Sequence, residues 1–160
     1  MAVDPNRWTL KTGEAFNAAL SAAAQASQPE VTADHLLVAM LGQEDTVVLP
    51  VLQRAGIAPA TLRNRLTDSL AKLPKAYGGS EPTLSRDARD ALERADAERA
   101  ELGDDYVSIE HVLLAMADRV GIAREDLLSA LRDVRGSHRV TSQNPEEQYQ
   151  ALEKLSLIHI

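Results

Sequence analysis

The chain has 160 residues, which fits one compact domain or two small halves that share a core, and this length excludes a large multidomain enzyme. Lys and Arg number 17 against 24 Asp and Glu, so the formal net charge of −7 disfavours binding to a nucleic-acid backbone, which needs a cationic face. Aromatic residues make up only 3% of the chain, and a core of Ala, Leu, Val and Met favours closely packed helices over a sheet.

The sequence contains no cysteine, which excludes disulfide bonds, thiolate nucleophiles and zinc sites with cysteine ligands. The first residues lack the basic start, apolar run and small-residue cleavage site of a secretory signal. No apolar stretch approaches the roughly 20 residues that a membrane-spanning helix needs. We therefore expect a soluble cytoplasmic protein that binds neither nucleic acid nor membrane.

Apolar residues recur with a period close to 3.6 between a few breaker clusters, which predicts an all-α fold. In the first half, the first predicted helix begins near Thr9 or Thr12 and runs to Ala26, and a second covers 33–41. A short apolar segment at 47–55 follows, and another helix is predicted at 60–73. Thr32 is the expected N-cap of the second helix and Gly42 closes it. Pro59 lies where a first-turn proline is tolerated, at the start of the helix over 60–73.

The segment 74–83 is rich in Pro, Gly and Ser, and it marks a boundary inside the chain. After it the helical pattern starts again, with predicted helices over 84–102, 109–116 and 124–134. Residues 137–145 have the composition of a linker, and 146–155 form a separate amphipathic pattern that predicts a linker helix. We therefore predict a domain over 1–136, with one repeat at 9–73 and another at 84–136, followed by a linker region at 137–160.

The two halves contain copies of one sequence unit. Residues 31–40 (VTADHLLVAM) align with 107–116 (VSIEHVLLAM) at an offset of 76, and 56–58 (GIA) align with 121–123 (GIA) at an offset of 65. The second copy has therefore lost about eleven residues between its second and last helices. Two copies of a helical unit that cannot bury its own face alone are expected to pack about a pseudo-twofold axis.

Several short motifs follow one another in a fixed order along residues 8–155. They are TLK at 9–11, HLL at 35–37, AGI at 55–57, LP at 73–74, LGDDYVS at 102–108, VRG at 134–136 and YQALEK at 149–154. In their order and spacing the chain resembles the N-terminal domain of the Clp family of ring-forming AAA+ unfoldases, and most closely the ClpB-type protein disaggregases. The resemblance implies an all-α domain of two repeats whose linker leads to an ATPase module outside this chain.

The resemblance also implies a site for substrate polypeptide. In ClpB-type domains a threonine at the position of Thr9 and acids at the positions of Asp104 and Glu110 are implicated in substrate handling, and all three are present here. Thr9 precedes a helix and the two acids flank a loop, so we expect their side chains to be displayed together at the surface. Possible additional contacts are Asp34, Leu92 and Val112.

These candidates also have structural interpretations. Asp34 and Glu110 lie in first helical turns, where a carboxylate complements the helix dipole. Leu92 and Val112 lie on apolar stripes, which is typical of core residues.

No cofactor or catalytic site is predicted. His35 and His111 are equivalent in the repeat, but a metal site needs three or four converging ligands, so the sequence favours histidines packed in a helical turn and predicts no metal site. None of the eight glycines is followed by Lys, so the chain has no P-loop, and ATP and magnesium are expected only in the ATPase modules outside it. No nucleophile motif such as GxSxG is present, and no enzyme activity is predicted.

The favoured hypothesis is a non-catalytic module that binds unfolded or aggregated polypeptide and delivers it to a hexameric ATPase ring, with the isolated chain monomeric. The alternative is a ClpC- or ClpA-like domain that docks adaptor proteins or phosphoarginine-tagged substrates through the acids Asp34 and Glu110. A third hypothesis, a small helical hydrolase, has no residue in its favour.

Overall fold

The structure, a computed structural model, describes residues 3–79, 81–136 and 138–146. Over these residues the helices are α1 (Leu10–Gln25), α2 (Ala33–Leu41), α3 (Val48–Arg54), α4 (Pro59–Ala71), α5 (Arg86–Leu102), α6 (Ile109–Ala115), α7 (Ala117–Val120) and α8 (Arg124–Arg135), with a short 3-10 helix at Pro5–Arg7. The all-α prediction is confirmed. Beyond Glu146, the predicted linker helix over 146–155 lies outside the described residues.

The repeat is visible in how the helices begin. The side chain of Thr9 caps α1 by accepting a hydrogen bond from the backbone N–H of Thr12 at 3.3 Å, and Ser85, 76 residues later, caps α5 by accepting one from Ala88 at 3.2 Å. At the other end of α5, Gly103 adopts a left-handed conformation with φ 74°, which stops the helix and which a residue with a Cβ rarely adopts.

Two short parallel strand pairings, which the sequence did not predict, connect one half to the other. Strand β1 (Glu30–Val31) pairs with β2 (Thr83–Leu84), and Trp8 pairs with Val107 in the same parallel sense. Val107 is the repeat equivalent of Val31, and Trp8 is the equivalent of Leu84, so the second pairing is a copy of the first. Helix α2 accordingly packs on α5, and α1 packs on α6.

The core lies between these helices and is aliphatic. Helices α1 and α5 present alanines to their neighbours, Ala15, Ala19 and Ala23 on α1 and Ala88, Ala91 and Ala95 on α5, all fully buried. Such small side chains let backbones approach closely, and larger residues of α2, α6, α8 and the α6–α7 junction fill the space between them. Large, almost fully buried apolar side chains among these are Leu36, Leu37, Met40, Ile109, Leu113, Met116, Leu127 and Leu131.

The shortened second repeat is accommodated next to Met116. Only this residue separates α6 from α7, and α7 has 4 residues where α3 of the first repeat has 7. Helix α3 packs on α8, with Arg54 Nε 3.1 Å from Asp133 Oδ2. On the shortened side, the guanidinium of Arg65 in α4 donates to the carbonyl of Arg119 in α7 at 2.6 Å. Helices α4 and α7 are therefore connected by a hydrogen bond, whereas α3 of the longer repeat packs directly on α8.

Candidate functional site

Each half holds a buried histidine at the start of its second helix. The backbone N–H of Thr32 donates to His35 Nδ1 at 2.9 Å, and the backbone N–H of Ser108 donates to His111 Nδ1 at 2.8 Å. Because Nδ1 is the acceptor, the ring proton lies on Nε2 in both histidines. Each histidine thus fastens its helix start to the residue that precedes the helix.

The partner of Nε2 differs between the halves. It is Gln28 Oε1 at 2.5 Å in the first half and Asp104 Oδ2 at 2.6 Å in the second, at equivalent positions. Gln28 then donates to the carbonyl of Leu70 at 2.7 Å, whereas Asp104 Oδ1 accepts from the guanidinium of Arg135 and from the backbone N–H of Val140, the latter at 2.9 Å. We call the first arrangement the Gln28 unit and the second the Asp104 unit. One is neutral and the other contains buried charges.

The Asp104 carboxylate is stabilised in its ionised form. Burial raises its pKa, but the hydrogen bonds from His111, Arg135 and Val140 outweigh this effect and lower the pKa to about 2. In the Gln28 unit, burial lowers the pKa of His35 below its ordinary value. Both units therefore have their charge states set by packing within the chain.

The three residues predicted to bind polypeptide are buried. Thr9, Asp104 and Glu110 are 1%, 3% and 1% exposed, so the prediction that their side chains are displayed at the surface is wrong. The physical reason is that each is used inside the chain. Thr9 caps α1 while its N–H donates to the carbonyl of Val107 at 3.0 Å, and Glu110 Oε2 lies 3.6 Å from Arg135 Nη1.

The three residues nevertheless lie along one stretch of chain, residues 138–146, which we call the strap. Val140 of the strap donates to Asp104, and the carbonyl of Gln143 accepts from the N–H of Leu10, directly after Thr9, at 2.7 Å. The composition of this stretch predicted a linker, and the structure places it against the body of the domain.

The additional contacts have separate surroundings. Val112 is 0% exposed and lies in the core, as its structural interpretation predicts. Asp34 lies near the surface, where its Oδ1 is 3.0 Å from Arg119 Nη1, and the same guanidinium is 2.7 Å from Asp87 Oδ2. Asp34 is thus already paired and Glu110 is buried, so neither acid is an open acceptor for a phosphoarginine tag in this structure.

Leu92 lines a surface groove of about 450 Å³. None of the sequence predictions included this groove. We call it the acidic groove, and its lining residues are Val3, Asp4, Arg7, Trp8, Leu92, Glu93, Asp96 and Val107. Its floor is apolar, and its rim carries three carboxylates and one guanidinium. The single tryptophan of the chain, directly before the candidate Thr9, was the sequence signal that could have indicated it.

Over residues 3–79, 81–136 and 138–146, no group of three or more His, Cys, Asp or Glu side chains is arranged to hold a metal ion. His35 and His111 each bond within their own half, which explains their equivalent positions without a shared ligand. None of the helices in the described part of the chain has the length and apolarity to cross a membrane.

Comparison of the sequence with family models and with curated proteins indicates one and the same family. Residues 7–131 match the family model of the Clp repeat (R) N-terminal domain. The chaperone protein ClpB of Corynebacterium diphtheriae is 41% identical over 160 residues, covering 92% of this chain and 19% of that protein, so the chain spans about a fifth of its length.

Solved structures share the fold. The Hsp104 N-terminal domain from Candida albicans matches with a TM-score of 0.74 at 22% identity, covering 87% of this chain and 98% of that one. A complex of a ClpV N-domain with a VipB peptide matches with a TM-score of 0.65 at 21% identity, covering 86% of this chain and 98% of that one.

Proposed function

Because the chain belongs to the Clp repeat N-terminal domain family, we propose that it is the substrate-recognition domain of a ClpB-type ATP-dependent disaggregase of the cytoplasm. In this proposal it binds exposed segments of unfolded or aggregated protein and passes them to a hexameric ATPase ring formed by modules outside this chain. The domain itself has no catalytic role and needs no cofactor. The ClpB chaperones among its relatives and the peptide bound to a ClpV N-domain support this proposal.

The acidic groove is the observation that carries the proposal. Unfolded proteins expose apolar side chains that folded proteins bury, and such side chains can contact the exposed edges of Trp8, Leu92 and Val107, which line the groove and are 7%, 3% and 2% exposed. The carboxylates of Asp4 and Glu93 suit a segment that also carries Lys or Arg, whereas Asp96 is already paired with Arg99, whose Nε lies 2.8 Å from its Oδ1. A groove of about 450 Å³ holds only a few side chains, so we expect weak binding and rapid release, as delivery to a ring requires.

Fluorescence of Trp8 tests the proposal directly. It is the only tryptophan of the chain, and reduced, carboxamidomethylated ribonuclease A is a basic, permanently unfolded probe without tryptophan. We expect the probe to change the Trp8 emission, with an affinity that decreases as salt screens the charges. The double variant Asp4→Asn with Glu93→Gln is expected to bind about three- to tenfold more weakly.

A matched control removes the same two charges elsewhere. Asp68 and Glu81 are exposed and do not line the groove, so Asp68→Asn with Glu81→Gln is expected to change the affinity less than twofold. An equal loss in both double variants would show that net charge rather than the groove attracts the probe. Absence of any emission change or binding would contradict the proposed function.

A further inference from the structure

The strap is held at one end by the Asp104 unit. The side chain of Val140 is 0% exposed, and its backbone makes two hydrogen bonds, donating to Asp104 Oδ1 at 2.9 Å and accepting from the N–H of Asp105 at 2.8 Å. Arg135 Nε donates to the carbonyl of His138 at 2.5 Å. An aliphatic side chain in a pocket and main-chain hydrogen bonds on both sides of it are the contacts by which proteins bind an extended peptide.

The other end of the strap is held at the start of α1. The carbonyl of Gln143 accepts from the N–H of Leu10, which is one of the first N–H groups of the helix and has no partner within it. The amide of Gln143 donates to the carbonyls of Asn6 and Trp8 at 3.3 and 3.4 Å. The strap therefore bridges the two halves and reaches the residue at the floor of the acidic groove.

Glu146 places a carboxyl group in an unfavourable position. The residue is 5% exposed, and its Oε2 is buried without a hydrogen-bond partner among the described residues. The charged groups that face it are Glu110 from α6, Lys11 from α1 and Asp45 from the loop after α2. Burial, with the charges of Glu110 and Asp45, raises its pKa to about 7, and a hydrogen bond from the backbone of Glu146 and the charge of Lys11 oppose this shift.

The sign of the pH effect follows from this direction. Because the pKa in the docked state lies above the ordinary value of 4.5, the docked state binds the proton more tightly than a released strap does. Docking is therefore fully favoured below about pH 4.5 and weakens as the pH rises through about 7, where the buried carboxyl group ionises. Main-chain hydrogen bonds stabilise the docked strap, and ionisation of Glu146 destabilises it.

We propose that residues 138–146 are a releasable strap that occupies the place of a bound polypeptide, and that its release uncovers the Asp104 carboxylate and the N–H of Leu10 next to Thr9, on the side of the domain where Glu146 faces Glu110, for a client segment. This inference rests on the proposed function. The strap shows which client fits, namely an extended segment with a branched aliphatic residue at the place of Val140 and a carbonyl for the N–H of Leu10. Strap and client then compete for one surface next to the acidic groove.

Amide hydrogen exchange of the 160-residue chain measures strap release without any client. The N–H groups of Leu10 and Asp105 donate to strap carbonyls, so release exposes them to solvent. Between pH 6 and pH 8 we expect their protection, corrected for intrinsic exchange, to fall about tenfold in the wild type. The variant Glu146→Gln cannot ionise and is expected to keep its protection, whereas Glu44→Gln, a change at an exposed glutamate, is expected to follow the wild type.

Binding of the unfolded ribonuclease probe measures the competition. We expect the wild type to bind several-fold more tightly at pH 8 than at pH 6, Glu146→Gln to lose this gain, and Val140→Asp to bind tightly at both values. If circular dichroism shows that Val140→Asp does not fold, Val140→Ala takes its place with a smaller gain.

Two results would contradict the proposal that the strap is releasable. One is that the hydrogen-exchange protection of the Leu10 and Asp105 amides does not change with pH. The other is that the affinity for the ribonuclease probe does not increase when this protection is lost. If no variant binds the probe at any pH, the proposed function fails, and with it the competition, while the exchange data still decide whether the strap is released.

Discussion

The Gln28 unit and the Asp104 unit share one geometry and differ in charge. In both, a backbone N–H at the helix start fixes the same nitrogen of a histidine, and the other nitrogen donates to a side chain seven residues earlier. The first unit satisfies its glutamine with a carbonyl of α4, whereas the second satisfies its aspartate with a guanidinium of α8 and with the strap. Both repeats thus keep the histidine contact that fastens the helix start, and the second repeat carries a charged side chain, Asp104, at the point where the strap docks.

The largest expected difference between the units is in stability. Asp104→Ala removes the carboxylate that accepts from His111 and from the guanidinium of buried Arg135, and it is expected to lower the free energy of unfolding by about 3 to 5 kcal/mol. Gln28→Ala removes neutral hydrogen bonds and is expected to cost about 1 to 3 kcal/mol. Urea unfolding at pH 7 measures both, with the exposed neighbour change Asp105→Asn as the control. Equal losses at the two positions would remove the distinction between the units.

Acid unfolding separates the units by their pKa values. The pKa of Asp104 is lowered to about 2, so its contribution, on the order of 2 kcal/mol, is present above about pH 4 and is lost as the pH falls towards 2. Burial lowers the pKa of His35, so its contribution is present above about pH 6.5 and is lost as the pH falls below that value. Unfolding measured from pH 7 to pH 2 in the Glu146→Gln background, where that carboxyl group cannot titrate, is expected to show both losses, and adding Asp104→Asn is expected to reduce only the more acidic one. A profile of that double variant identical to Glu146→Gln alone would contradict the assignment.

The smallest effect is expected at the acids that follow each cap. Asp34 is equivalent to Glu110, but it forms its ion pair with Arg119 near the surface, where solvent weakens the attraction. Asp34→Asn is therefore expected to change the free energy of unfolding by less than about 1 kcal/mol, and salt is expected to reduce the change further. A larger, salt-independent loss would show that this acid is as important to the fold as its buried counterpart.

Local signals made the helices predictable, because a cap acts on the residues next to it. Thr9 and Thr32 each precede a helix in the structure, and Gly42 ends one, as the sequence indicates. The strands were missed because two residues are too few to show a period of two.

The burial of the candidate site was not predictable because it depends on distant residues. Val140 contacts Asp104 across 36 positions, and the polar stretch around Val140 has the composition of a solvated linker. The acidic groove likewise joins Trp8 to Leu92, and no local pattern connects them. Residue types that carry charge could be named from the sequence, but whether water reaches them is a property of the assembled fold.

The crossed strand pairings have a consequence for assembly. Each pairing joins a segment of the first half to a segment of the second half, so neither half alone can form the backbone hydrogen bonds of these pairings. A chain cut by a protease at the exposed loop near Tyr77 would yield two pieces that each lack a complementary edge. Such pieces are expected to reassociate when mixed, and the covalent connection between them serves mainly to keep each one at a high effective concentration of the other.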